Sequence, residues 1–142
     1  MSKQDILEQI NNCRTKLSNN QTELKKLEEK LCTLNSFSEQ CNIYSNKFDQ
    51  SMEKKRYRLS DISDILGRVK AAAVYSEKAN QMLTGYEYSV TSSHIEELKS
   101  TISSERRKIE NDIDEIKYQI NILQNQIDSL VYEYNHYPEE EA

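Results

Sequence analysis

The feature that most constrains this chain is a stripe of apolar residues that recurs at alternating steps of three and four positions. Near the N-terminus its members are Ile10, Cys13, Leu17, Asn20, Leu24, Leu27, Leu31 and Leu34. This spacing places one apolar stripe along an α-helix and predicts pairing with another helix. Smaller residues continue the register through Ser38, Cys41, Ser45, Phe48 and Met52. The pattern predicts a first helix over about residues 4–56.

A second stripe lies near the C-terminus. It alternates strictly from Ile109 onward, with Ile113, Ile116, Ile120, Leu123, Ile127, Leu130 and Tyr134. The apolar residues before it, Ile95, Leu98 and Ile102, are out of phase with that register, which predicts a local stutter. Pro138 ends the pattern, so we expect a helix over about residues 93–136 and an acidic tail at residues 138–142.

The segment between the two stripes carries stop and start signals. Gly85 can adopt the positive φ that ends many helices, and Ser93 with Glu96 has the spacing of an N-terminal capping box. Ser60 offers a cap or a kink before a middle helix, which we expect over about residues 60–83.

The charge distribution favours a chain that folds back on itself. Residues 1–59 carry 11 Lys and Arg against 8 Asp and Glu, whereas residues 60–142 carry 8 against 16. Halves of opposite sign attract each other when they lie antiparallel. The predicted fold is therefore all-α: an elongated antiparallel helical hairpin with coiled-coil-like heptads, forming one domain over residues 1–137.

Composition and spacing disfavour several function classes. The net charge of −5 argues against general nucleic-acid binding. His94 and His136 are far apart and have no further ligands at metal-binding spacing, and two isolated glycines cannot form a phosphate-binding loop. We therefore expect no metal, no cofactor and, because a thin helical pair lacks a concave pocket, no enzymatic activity.

The first residues and the cysteines bear on the compartment. The N-terminus has no apolar segment typical of a signal peptide, and no run is long enough to cross a membrane. The three cysteines, Cys13, Cys32 and Cys41, form no CxxC pair and no disulfide framework. These features favour folding in the cytoplasm.

Some apolar residues lie outside the two main stripes. Phe37 and Tyr44 flank the first stripe, and Ile95, Leu98 and Ile102 are out of phase with the second. We expect these five residues to form a residual apolar strip that binds a partner, because such strips on proteins in water mark interaction sites. Another amphipathic helix pair would suit it.

Two further features have more than one interpretation. Residues 54–58, KKRYR, form a basic cluster that either binds an anionic surface or is a solvated helix end, and the latter is favoured because the cluster is short. The nine tyrosines suit either an interface or packing inside the hairpin.

The stretch from Gly67 to Leu130, with a helix, the break "LTGYEYS" and an Ile/Leu-rich helix, resembles the YwqH-like small helical proteins of Gram-positive bacteria. These are relatives of the WXG-type secretion proteins and are encoded beside LXG toxins of type VIIb secretion systems. Leu83-Thr84-Gly85 occupies the position of the W-x-G break, with Leu in place of Trp. Tyr137 and Glu141 have the spacing of the family's export motif, as do Tyr57 and Asp61.

The resemblance implies a targeting adaptor or chaperone. Such a protein binds the helical N-terminal LXG domain of a secreted toxin, either alone or with a second small helical protein. It either stays in the cytoplasm or leaves with its partner by a route that needs no signal peptide. The alternative is a self-associating structural coiled coil, which would favour a continuous rod over a hairpin.

Asn20 is the one polar residue of the regular N-terminal stripe, and it generates a first prediction. A buried Asn at a heptad core position specifies register at a cost in stability. We expect Asn20→Leu to raise the melting temperature and to loosen the choice of register or partner. A lower melting temperature, measured by circular dichroism, would mean that a specific hydrogen bond satisfies Asn20.

Overall fold

The structure, a computed structural model, describes residues 1–66, 74, 77–82 and 85–138, with the side chains of 61–66 excepted. Two long helices dominate it: α1, Lys3–Leu66, and α2, Tyr86–Asn135. Residues 74 and 77–82 are also helical, and no strand occurs among the described residues. The prediction of an all-α helical hairpin is confirmed. The rest of the predicted middle helix and residues 139–142 lie outside the described residues.

Helix α1 begins with a reciprocal capping box. The backbone N–H of Ser2 donates to Asp5 Oδ2 at 2.9 Å, and the backbone N–H of Asp5 donates to Ser2 Oγ at 3.1 Å. Each bond satisfies an N–H group that has no partner inside the helix. The backbone bond from Ser2 holds the pKa of Asp5 below its ordinary value of 3.8, with a smaller contribution from the Ser2 hydroxyl.

The chain forms two compact units. Unit 1 comprises Met1–Thr33 with Arg106–Ala142, and its two helical segments run antiparallel. The Lys3 ammonium lies 4.6 Å from the centre of the Tyr134 ring, and the Cys13 thiol lies 4.0 Å from Gln126 Oε1. The described core consists of large aliphatic side chains on the heptad stripes, namely Ile6, Ile10, Leu27, Ile113 and Leu123.

Unit 2 comprises Leu34–Glu105, and here the heptad positions hold smaller and more polar residues. The helical segments again run antiparallel, with the rings of Phe48 and Tyr88 stacked at a centroid distance of 5.6 Å. Among the described residues of this unit, the buried ones are Ser45 and Ile102. A core that contains a serine gains little from the hydrophobic effect, since burying a Leu or Ile contributes about 1.5–3 kcal/mol and a hydroxyl group does not.

The predicted end of the first helix near residue 56 is wrong, and so is the predicted start of a middle helix at residue 60. Helix α1 continues to Leu66, so Ser60 lies inside the helix rather than at a cap. Leu59 is half-buried and extends the stripe by one more heptad step. One serine does not end a helix whose neighbours bury apolar side chains and whose backbone hydrogen bonds continue past it.

The predicted start of α2 at Ser93 is wrong. The helix begins at Tyr86, and the Ser93–Glu96 pair lies in its interior. Gly85 directly precedes α2, and its carbonyl accepts the N–H of Ser89 at 3.1 Å. The positive φ expected at this glycine is also absent. Glycine is required here because a Cβ atom would overlap the carbonyl oxygen of Gln81.

The predicted stutter between Leu98 and Ile109 is wrong as well. The half-buried and buried positions of α2 keep strict steps of three and four through Ile95, Lys99, Ile102, Arg106 and Ile109. Lys99 and Arg106 occupy the two core positions at which the sequence has no apolar residue. Long Lys and Arg side chains can occupy such positions because their stems pack against apolar neighbours while the charge reaches toward water.

The structure predicts opposite outcomes for two substitutions at the start of α2. Gly85→Ala should lower the free energy of unfolding by about 1–3 kcal/mol, because the added methyl group overlaps Gln81. Ser93→Ala should raise it by a few tenths of a kcal/mol, about the difference in helix propensity. Urea denaturation of both variants checks this. A loss of about 1 kcal/mol at Ser93 would instead indicate that it caps the helix.

Candidate partner-binding groove

An apolar groove of about 320 Å³ lies on unit 2 between its two helical segments. We call it the unit 2 groove. Helix α2 contributes Ile95 and Leu98. Helix α1 contributes a floor and one wall, formed by Phe37, Gln40, Cys41, Tyr44, Ser45 and Phe48.

The groove exists because consecutive heptad core positions of α1 hold small side chains. Ser38, Cys41 and Ser45 stand where the preceding heptads carry mostly leucine. On α2 the core position between Ile95 and Ile102 is Lys99, whose ammonium turns to Glu96 at 3.6 Å. None of these side chains fills the space that a leucine would fill, so the helices leave an open volume between them.

The rim of the groove is apolar and accessible. Tyr44 is 69% exposed, Phe37 49% and Leu98 41%, whereas Ser45 on the floor is 6% exposed. Single exposed apolar residues are ordinary on a protein surface. Three large ones around one apolar depression form a contiguous patch, and such a patch is typical of a site that binds another macromolecule.

The structure brings together four of the five residues that the sequence predicts for a partner interface. Phe37, Tyr44, Ile95 and Leu98 all line the unit 2 groove. The fifth assignment, Ile102, is wrong because this side chain is only 4% exposed. Ile102 stays on the buried stripe since α2 has no stutter, and it therefore packs inside unit 2.

Two cations lie against aromatic rings, one of which lines the groove while the other stacks on a lining residue. The Arg56 guanidinium lies 4.6 Å from the centre of the Tyr88 ring, which stacks on Phe48 with an interplanar angle of 14°. The Lys47 ammonium lies 5.9 Å from the centre of the Tyr44 ring. Each cation is attracted to the electron-rich ring face, so the aromatic wall carries positive charge beside it.

The other predicted site residues lie outside this groove. Asn20 is half-buried on the α1 stripe of unit 1, as expected for a heptad core position. The Tyr137 hydroxyl, part of the predicted export motif, donates to the Met1 carbonyl at 2.6 Å. Glu141, the other half of that motif, lies outside the described residues. Gly85 precedes α2, as described above.

Sequence reasoning missed the floor of the groove. The sequence pattern places Cys41, Ser45 and Phe48 on the heptad stripe and gives no signal for Gln40. The signal was present in the sequence: small residues at consecutive core positions cannot fill the space between two helices.

A larger depression of about 650 Å³ lies on unit 1, and six of the nine residues that line it are polar. These are Gln9, Asn12, Lys16, Asn125, Gln126 and Ser129. These groups are solvated when free, and covering them costs free energy unless each finds a hydrogen-bond partner. The unit 2 groove is therefore the stronger candidate for binding.

The described residues show no site for metal chemistry and no membrane span. No group of three or more His, Cys, Asp or Glu residues in the described part could hold a metal ion. His94 is exposed, and the His136 ring stacks on Tyr132 at 4.0 Å. No described helix is both long and apolar enough to cross a membrane.

No family model, no curated protein and no solved structure matches this chain. The unit 2 groove and the residues around it are therefore the physical basis for a functional proposal.

Filling the groove from its floor gives a testable outcome. Cys41→Leu places a larger apolar side chain under an open volume, so we expect the free energy of unfolding to rise by about 1 kcal/mol. Cys32→Leu is the matched control, because Cys32 is exposed on the same helix and should change little. Denaturant titrations of both variants measure the difference. A destabilised Cys41→Leu protein would mean that the floor has no room for a larger side chain.

Proposed function

We propose that this protein is a helical adaptor that binds another protein through the unit 2 groove, with no catalytic step of its own. The observation that carries the proposal is the groove itself, in which exposed Phe37, Tyr44 and Leu98 surround a floor of small residues. An amphipathic helix fits such a site, because its large apolar side chains can enter the space that the small residues leave open.

The weak core of unit 2 supports this proposal. Unit 1 buries five large aliphatic side chains among its described residues, whereas unit 2 buries one, Ile102. A partner helix that covers Phe37, Tyr44 and Leu98 adds apolar burial where the chain has little of its own. Helix-on-helix packing of this kind completes a bundle around a shared core.

The resemblance described above suggests the identity of the partner. A YwqH-like adaptor binds the helical N-terminal LXG domain of a toxin exported by type VIIb secretion. We propose such a domain as the partner of the unit 2 groove, since a helical domain supplies the amphipathic helix that the groove requires.

The alternative function is a structural coiled coil that associates with copies of itself. Its strongest support is the strict heptad spacing of α1 and α2. In each unit, however, the stripe of α1 is already paired with the stripe of α2 in the same chain. The groove is an apolar surface that this pairing leaves uncovered, which favours a different partner over extended self-association.

A charge placed on the rim tests the proposal. We expect Leu98→Glu to weaken binding of the LXG region of the toxin encoded beside this gene by tenfold or more, because a carboxylate would lose its water in the apolar groove. The proteins are co-expressed, purified as a complex and compared by titration calorimetry. Phe37→Glu should act in the same direction.

Ile43→Glu is the matched control for this experiment. Ile43 is 47% exposed on the same helix as Phe37 but does not line the groove, so its substitution should leave binding unchanged. Equal circular dichroism melts would show that the variants remain folded. A wild-type protein that forms a tight homo-oligomer and ignores the LXG region would refute the adaptor and favour the structural coiled coil.

A further inference from the structure

We infer that the partner of the unit 2 groove is an amphipathic helix whose apolar segment is followed by carboxylates. This inference rests on the proposed function and specifies the chemistry of the partner. It combines the apolar groove with a set of cations at one end of it, which belong largely to the basic cluster at residues 54–58.

The groove and the cations share one side of α1. Phe37, Tyr44, Phe48 and Lys55 follow each other at steps of seven, four and seven residues, which places them on the same side of a helix. Lys47 directly precedes Phe48 in the chain, and its side chain reaches this side of the helix, with the ammonium 5.9 Å from the Tyr44 ring centre. The wall of the groove therefore changes from apolar to basic along α1.

Two of these cations, Lys47 and Lys55, have unused capacity for a partner's charge. Lys47 and Lys55 are exposed, and neither has a carboxylate within ion-pair distance among the described residues. Arg56 lies on the Tyr88 ring beside them. Lysines on an open surface are normally solvated, but here they border an apolar site. A docked helix would exclude water around them and strengthen their attraction to carboxylates.

The dimensions of the wall define the partner segment. From Phe37 to Phe48, α1 rises by about 16 Å at about 1.5 Å per residue. A partner helix lying along the groove needs about three turns of apolar residues at steps of three and four. Carboxylates in the next two turns would then reach Lys55, and a carboxylate at the junction with the apolar segment would reach Lys47.

A designed peptide tests this chemistry directly on the full chain. The probe is a helical peptide of about 20 residues with leucines at steps of three and four in its first half and glutamates in its second half. A control peptide carries lysines in place of the glutamates. Fluorescence anisotropy measures both affinities at about 50 mM and about 500 mM salt, because screening separates charge effects from apolar contact.

We expect the glutamate peptide to bind about tenfold more tightly than the lysine peptide at low salt, with the difference nearly lost at high salt. The net charge of −5 would by itself favour the lysine peptide, so the expected preference reports the local cations. Lys47→Glu combined with Lys55→Glu should reverse it. The matched control is Lys25→Glu with Lys26→Glu, which makes the same charge change at exposed positions of unit 1 and should not.

Equal affinity for the two peptides, failure to bind either, or reversal by the control variant would overturn the inference. The proposed function fails separately. If the LXG region binds and the lysine substitutions have no effect, the adaptor role stands and the acidic-helix inference is wrong. If the glutamate peptide binds and the LXG region does not, the groove chemistry stands and the toxin domain is not its partner.

Discussion

The size of the side chains at heptad core positions decides where this chain has a filled core and where it has an open groove. A three–four repeat specifies that two helices pack along a stripe, whatever residues occupy it, but the residues decide how much space is filled. In unit 1 the stripe carries isoleucine and leucine, and five such side chains are buried. In unit 2 it carries Ser38, Cys41 and Ser45, and the same packing geometry leaves an open groove. The stability of each unit and the proposed binding thus have one physical origin.

The groove shows how two paired helices can form a candidate binding site without an enclosed pocket. Two paired helices normally bury one stripe each and present polar surface elsewhere. Where three consecutive core residues of α1 are small, the two helices bury less apolar surface between them. Phe37, Tyr44 and Leu98 at the rim of the groove remain exposed. This exposure lowers the stability of the fold, because removing these apolar side chains from water would be favourable. A partner helix that covered them would recover that free energy, in the unit that buries fewer aliphatic side chains.

Charge would make the groove selective among partner helices, which apolar contact alone does not. Apolar packing has little directional preference, so an apolar groove accepts many amphipathic helices. The cations near Tyr44 and Tyr88 break that equivalence, since a carboxylate on the partner would be attracted and an ammonium repelled. The basic cluster at residues 54–58 is typical of a solvated helix end when taken alone, and its neighbours in unit 2 are the basis for the inferred role in binding an acidic partner.

The sequence by itself determined the helical class and the stripe of α1, because heptad periodicity is a local property of side-chain spacing. The tertiary structure was needed to show that small residues of this stripe form the floor of a groove. The sequence also identified Phe37, Tyr44, Ile95 and Leu98 as interface candidates. It failed at element boundaries and at phase. Ser60 and Ser93 resemble caps but lie inside helices. Lys99 and Arg106 occupy core positions of α2, so the stripe is continuous although its apolar pattern is interrupted. Only the tertiary structure decided those points. Whether a serine caps a helix, or a long cation occupies a core position, depends on what packs against it from elsewhere in the chain.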